Sequence, residues 1–142
     1  CNMTDIQAAI GLAQMRRYPG ILERRRELIE RYDAAWPEGK LMVLDHFGNG
    51  SKSSGHLYIT RLPGKTREEC NQIITGMAEA GVATNVHYKP LPMMTAYKNL
   101  GFDIKDYPNA YAQFANEITL PLHTCLTDEQ QEYVIEQFCK YL

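Results

Sequence analysis

Between His56 and Tyr88 the hydrophobic period of the chain changes twice, and this succession limits the folds open to it. His56 to Leu62 (HLYITRL) alternates and is rich in β-branched and aromatic residues, the pattern of a strand. Thr66-Arg67-Glu68-Glu69 is a capping box: the Thr66 hydroxyl can accept from the Glu69 amide while the Glu69 side chain reaches back. Cys70, Ile73, Ile74 and Met77 then recur at helical spacing. Gly81 stands where a helix end adopts a left-handed backbone. Val82 to Tyr88 (VATNVHY) returns to the strand pattern. Strand, helix and strand in this order predict two parallel strands joined by a right-handed crossover.

The rest of the chain is fitted around that unit. Asn2, Thr4 and Asp5 are helix-capping and first-turn residue types. Ile6, Ala9, Ile10 and Ala13 follow as one helical stripe, so a helix is expected from Thr4 to Tyr18. Pro19-Gly20 is expected to break it. A second helix is expected from Ile21 to Trp36, with Leu28, Ile29, Tyr32 and Trp36 inward. Leu41 to Leu44 reads as a short strand lying between the other two and antiparallel to both. Gly48 to Gly55 reads as a flexible loop. Pro90 and Pro92 stop sheet pairing. One short helix is expected from Met94 to Leu100, and another from Pro108 carrying Tyr111, Phe114 and Ile118. "ITLPLH" reads as a short extended piece. Thr127 to Gln130 is a second capping box, opening a last helix with Val134, Phe138 and Tyr141 inward. The expected class is α/β (α+β), a small mixed three-stranded sheet with helices packed mainly on one face.

Composition enters through what it excludes. The formal net charge of the 142 residues is −2, so no basic excess points to nucleic acid or an anionic membrane. Arg24-Arg25-Arg26 lies between Glu23 and Glu27 and reads as a solvated helix face. No apolar run approaches the roughly 20 residues of a membrane span. Cys1, Cys70, Cys125 and Cys139 show no CxxC spacing, and His123-x-Cys125 lacks the second close pair a zinc site needs. Four reduced thiols fit a cytoplasmic protein. The sequence carries no GxGxxG, P-loop, HExxH or GxSxG motif.

The densest polar-aromatic cluster is "NVHYKPLP". Period two sends Asn85, His87 and Lys89 to one face and Val86 and Tyr88 to the other. Two readings are open: a ligand-contacting strand end held by a stiff proline-rich exit, or an ordinary strand end with a capping His and a core Tyr.

Four segments, "MTDIQAAIGLAQMRR", "HLYITRL", "VATNVHYKPLP" and "ITLPLHTCLTDEQQEYVIEQF", occur in the order and spacing of the C-terminal part of the DegT/DnrJ/EryC1/StrS aminotransferases, and the chain resembles that family over essentially its whole length. The resemblance implies a fold-type I enzyme using pyridoxal phosphate, mostly on nucleotide-linked keto sugars. In the family the first helix follows a loop usually written G-Y-N-Y-R-M-T-D. Cys1 matches its second Tyr and Asn2 its basic residue. The resemblance thus implies that residues 1–18 are an interface helix from the end of a large domain missing here, and 19–142 the small domain. The phosphate cradle and the Schiff-base lysine would belong to the missing part. Lys40, Lys52, Lys65, Lys89, Lys98, Lys105 and Lys140 match no such lysine, so the chain alone is expected to hold no cofactor and to be inactive.

His87 and Tyr88 match the family's H-Y-x-P motif, whose strand end faces the active-site cleft. Asn2 matches a position that often meets the nucleotide part of the substrate across a dimer, with the basic charge removed. Together they are the substrate-binding candidates; no catalytic residue and no metal ligand is assigned. Pro92 stands where many members have His. His56 and His123 match family histidines and read as satisfying nearby backbone. Self-association through the first helix is expected, as a homodimer or another assembly of copies. The other reading is a stand-alone, non-catalytic binding or dimerisation module derived from the same small domain.

Overall fold

A computed structural model of the chain describes every residue except Cys1, Asn49 and Ser51. The reading of Cys1 as a family tyrosine, and part of the expected 48–55 loop, lie outside the described residues. The first element, α1, runs unbroken from Asp5 to Ala35. Thr4 caps it: its hydroxyl accepts from Gln7 N, and the Gln7 side chain accepts from Thr4 N. The expected break at Pro19-Gly20 does not occur. Proline deprives the Met15 carbonyl of its helical donor, at a cost of about 3 kcal/mol in a helix interior. That part of α1 is exposed, so water can reach the freed carbonyl. Beyond it, burial of Leu28, Ile29 and Tyr32 holds the helix to the body of the protein.

The sheet consists of β1 (Met42–Val43), β2 (Tyr58–Arg61) and β3 (Glu117–Leu120), in that spatial order and antiparallel throughout. This corrects three expectations. The sheet is not mixed. The first strand is an edge, not the centre. The third strand comes from the segment read only as an extended piece, and Ile118 belongs to it rather than to the preceding helix. Val82 to Tyr88 is no strand; its one backbone bridge to the sheet is at Asn85, which pairs with Thr119 through Asn85 N to Thr119 O (3.2 Å) and Thr119 N to Asn85 O (2.8 Å). Two antiparallel steps, β2 to β3 and β3 to Asn85, leave Asn85 running in the same sense as β2. The expected parallel direction therefore holds there, with β3 inserted between.

Helix α2 (Arg67–Glu79) begins at the Thr66 capping box, and Gly81 takes a positive φ of 78° just beyond its end. After Pro90 come a 3₁₀ turn at Leu91–Met93, α3 (Thr95–Asn99), a second turn at Ile104–Asp106 and α4 (Pro108–Ala115). Helix α5 (Asp128–Cys139) starts at the Thr127 capping box. The core lies where the second half of α1, α2 and α5 cover one sheet face: Ile29, Tyr32, Tyr58, Cys70, Met77, Ile118, Leu120, Val134 and Phe138 pack together. Two polar side chains inside it are tied by hydrogen bonds, although Gln131 Oε1 has no partner among the described residues. The Tyr58 hydroxyl donates to Asp33 Oδ1 (2.7 Å) and accepts from Trp36 Nε1 (2.8 Å). Gln131 Nε2 donates to the Leu28 carbonyl (2.7 Å).

Two further expectations change. The arginine run is not simply solvated: Arg24 binds Leu126 O and Asp128, and Arg25 is half-buried. The residue boundary at Tyr18 falls inside a continuous helix. Along α1 the first buried residue is Leu28, well beyond it.

Candidate active-site cleft

The alternation of β3 divides its side chains. Ile118 and Leu120 enter the core, and Glu117 and Thr119 take the other face. All four are buried, because the chain around Asn85 and His87 covers the outer side of this strand. On that far face the chain passing Asn85 lays His87 directly against β3. His87 N donates to both Glu117 carboxylate oxygens, at 3.2 and 3.1 Å. His87 Nδ1 lies 2.9 Å from Thr119 Oγ1, whose hydroxyl donates to Glu117 Oε1 at 2.6 Å. The carboxylate is only 1% exposed. Among the described residues it has no ion-pair partner; Arg67 Nη1 meets the Glu117 main-chain carbonyl instead (2.8 Å). A buried carboxylate is tolerable only with its lone pairs occupied, and here an amide and a hydroxyl occupy them.

Tyr88 follows through a cis peptide. Its ring stands edge-on to the His87 imidazole, centroids 4.7 Å apart, and is 69% exposed. Tyr88 is therefore not a core residue, and the expectation of an ordinary strand end with a core Tyr does not hold. Lys89 is exposed. A hollow of about 180 Å³ opens beside His87, with Asn85, Thr119, Leu57, Ala83 and His56 among its lining residues. His56, expected to satisfy nearby backbone, is exposed and borders the same hollow. His123 lines a neighbouring, larger hollow of about 600 Å³ with Leu126, Tyr133 and Val134. Pro92 borders an aromatic hollow with Tyr97, Phe102 and Tyr107. Asn2 is exposed ahead of α1; no hydrogen bond among the described residues joins it to His87 or Tyr88, and it does not line their hollow.

Sequence reading missed Glu117 and Thr119. The signal available was the polar–apolar alternation E-I-T-L, two polar side chains spaced to share a face. Among the described residues no group of three or more His, Cys, Asp or Glu could hold a metal, and no helix is long and apolar enough to cross a membrane. No lysine lines the His87 hollow, so its residues do not by themselves fit a pyridoxal group.

Proteins similar to this chain in sequence and fold include sugar aminotransferases. Spr1654 from Streptococcus pneumoniae, assigned as a sugar aminotransferase and solved in its apo form, superposes with a TM-score of 0.95 at 55% identity, over 99% of this chain and 35% of that one. Its PLP form has also been solved. The spore coat polysaccharide biosynthesis protein SpsC of Bacillus subtilis is 31% identical over 95% of this chain and 36% of its own length. The UDP-4-amino-4,6-dideoxy-N-acetyl-beta-L-altrosamine transaminase of Helicobacter pylori is 28% identical over 98% of this chain and 37% of its own length. The chain thus spans about a third of the length of the curated relatives it matches. The profile of the DegT/DnrJ/EryC1/StrS aminotransferase family matches residues 1–139, and the chain belongs to that family.

Proposed function

We propose that this chain is the small-domain part of a pyridoxal-phosphate-dependent aminotransferase acting on a nucleotide-linked keto sugar. The observation that carries the reading is His87, anchored on β3 and opening to a hollow beside exposed Tyr88. The relatives' activities support it: the Helicobacter protein is named for transamination of a UDP-linked amino sugar. In this reading His87 and Tyr88 meet the substrate from the small-domain side, and Asn2 meets its nucleotide end in a dimer. Residues 1–18 serve as interface helix and 19–142 as small domain. Pyridoxal phosphate, when bound, supplies the electron sink for amino transfer and needs an enzyme lysine to carry it. The lysine and phosphate cradle belong to a large domain beyond these residues, and the chain alone is inactive. The proposed compartment is the cytoplasm, which suits the described free cysteines Cys70, Cys125 and Cys139.

The apolar side of the first half of α1 supports self-association. Ile6 is 75% exposed, and Ile10, Leu12 and Met15 are also exposed. At about 25 cal/mol per Å², covering a few hundred Å² of such surface recovers several kcal/mol. A second copy related by a two-fold axis is the proposed cover.

The test compares this chain with the full reading frame that contains it. Each receives pyridoxal phosphate, L-glutamate and a UDP- or dTDP-linked 4-keto-6-deoxyhexose, and amino-sugar product is read by mass spectrometry. Product from the full protein alone is expected. Product from this chain alone overturns the placement of the lysine elsewhere, and no product from the full protein overturns the substrate class.

A further inference from the structure

We propose that Thr119 and Glu117 are positioning residues that fix the tautomer of His87, so that Nδ1 keeps its proton and Nε2 alone exchanges one with whatever occupies the cleft. The direction of the relay follows from donor and acceptor bookkeeping. The Glu117 carboxylate can only accept, and it already takes the His87 amide on both oxygens. Thr119 Oγ1 lies 2.6 Å from Glu117 Oε1, a length typical of a hydroxyl donating to a carboxylate. The single Thr119 proton is thereby used. At its other contact, 2.9 Å from His87 Nδ1, the hydroxyl oxygen can only accept, so Nδ1 must carry hydrogen. Nε2 makes no hydrogen bond among the described residues and is not among their buried unpartnered atoms.

The consequence is chemical. In the neutral ring Nε2 is a bare acceptor, suited to a hydroxyl or ammonium group of a ligand rather than to a phosphate oxygen. When the ring is an imidazolium, Nδ1–H to Thr119 is unchanged and Nε2 becomes a donor. Proton uptake and release therefore occur at one atom, on a ring that lines the hollow. The groups around the relay from neighbouring elements are His56, which borders the same hollow, and Arg67, which binds the Glu117 carbonyl from α2. Neither occupies Nδ1 or Thr119 Oγ1. The inference rests on the reading of His87 as a cleft residue, but its test needs neither cofactor nor substrate, so a failed transamination assay leaves it standing.

Long-range ¹H–¹⁵N correlation NMR on the ¹⁵N-labelled chain reads the tautomer directly, with His87 assigned from a His87→Phe spectrum. In the neutral ring the expected result is a protonated Nδ1 and a bare Nε2. Thr119→Val should move the population towards Nε2–H, the form imidazole prefers in water, and Thr119→Ser should restore the parent pattern. Glu117→Gln should also favour Nε2–H, because the amide can donate to Thr119 and turn its hydroxyl towards Nδ1. A proton on Nε2 in the neutral unsubstituted chain overturns the proposal, and that measurement stands even if a variant fails to fold. An unchanged tautomer in a folded Thr119→Val chain overturns it equally.

Discussion

Asp128, at the first turn of α5, takes a 2.8 Å hydrogen bond from the Arg24 guanidinium on α1, and Arg31 reaches its second oxygen at 2.6 Å. The hydrogen bonds from Arg31 and Arg24 hold the Asp128 carboxyl below its ordinary value of 3.8. The folded chain thus keeps this carboxylate charged to lower pH than the unfolded chain does. A lowered folded-state value gives stability that is complete above the ordinary aspartate range and lost as pH falls through the folded-state value. Asp128→Asn should flatten the acid limb of a urea-unfolding stability curve below about pH 4. Because the side chains are partly exposed, added salt should narrow the difference at neutral pH. Parallel acid limbs for the two proteins would refute the linkage.

Tyr58→Phe keeps the ring in its stack on Tyr32, 4.6 Å between centroids, but removes the hydroxyl that joins Trp36 to Asp33. Asp33 can turn to water, whereas half-buried Trp36 loses its acceptor. The expected loss is about 1–2 kcal/mol, measured by equilibrium unfolding. Unchanged stability would show that water already serves the indole.

Pro19→Ala returns a backbone donor to α1. Up to about 3 kcal/mol of helix stability is available at that site, roughly a hundredfold in a local opening equilibrium. Slower amide exchange should appear across Asp5 to Tyr18, with little change near Tyr32, whose protection comes from the core. Equal slowing at both ends would mean that α1 opens as one unit.

Ile6→Lys with Ile10→Lys places two charges on the uncovered side of α1. Sedimentation velocity should show the parent chain associating with rising concentration and the double variant remaining a monomer. A parent chain that stays monomeric at high concentration would remove the case for a second copy on this face.

The elements legible in the sequence were those specified by neighbours a few residues apart. The Thr66 and Thr127 capping boxes, the α2 stripe of Cys70, Ile73 and Met77, and the alternation of β2 all appear where local pattern puts them. The failures depend on distant partners. Nothing near Glu117 says that it will be paired with Arg61, far back in the chain, to make β3. Nothing near Pro19 says that burial of Ile29 and Tyr32 will hold a helix together past a missing donor. At the cleft, the H-Y pair was readable because it is contiguous. The carboxylate and hydroxyl behind it were not, since only the Asn85–Thr119 bridge brings them to His87.

That bridge has a consequence for variation. The excursion that carries Tyr88, the two 3₁₀ turns, α3 and α4 leaves the sheet beside Thr119 and rejoins it at Glu117, so both of its ends are tied to a single strand. Loop-closure entropy grows only logarithmically, by about 0.6 kcal/mol for each doubling of length. Residues between Lys89 and Tyr107 can therefore be lengthened, shortened or exchanged as an interchangeable cassette while β3 keeps His87 in register. The molecule separates a fixed contact from a replaceable border, and relatives can diversify the border without rebuilding the strand that anchors the histidine.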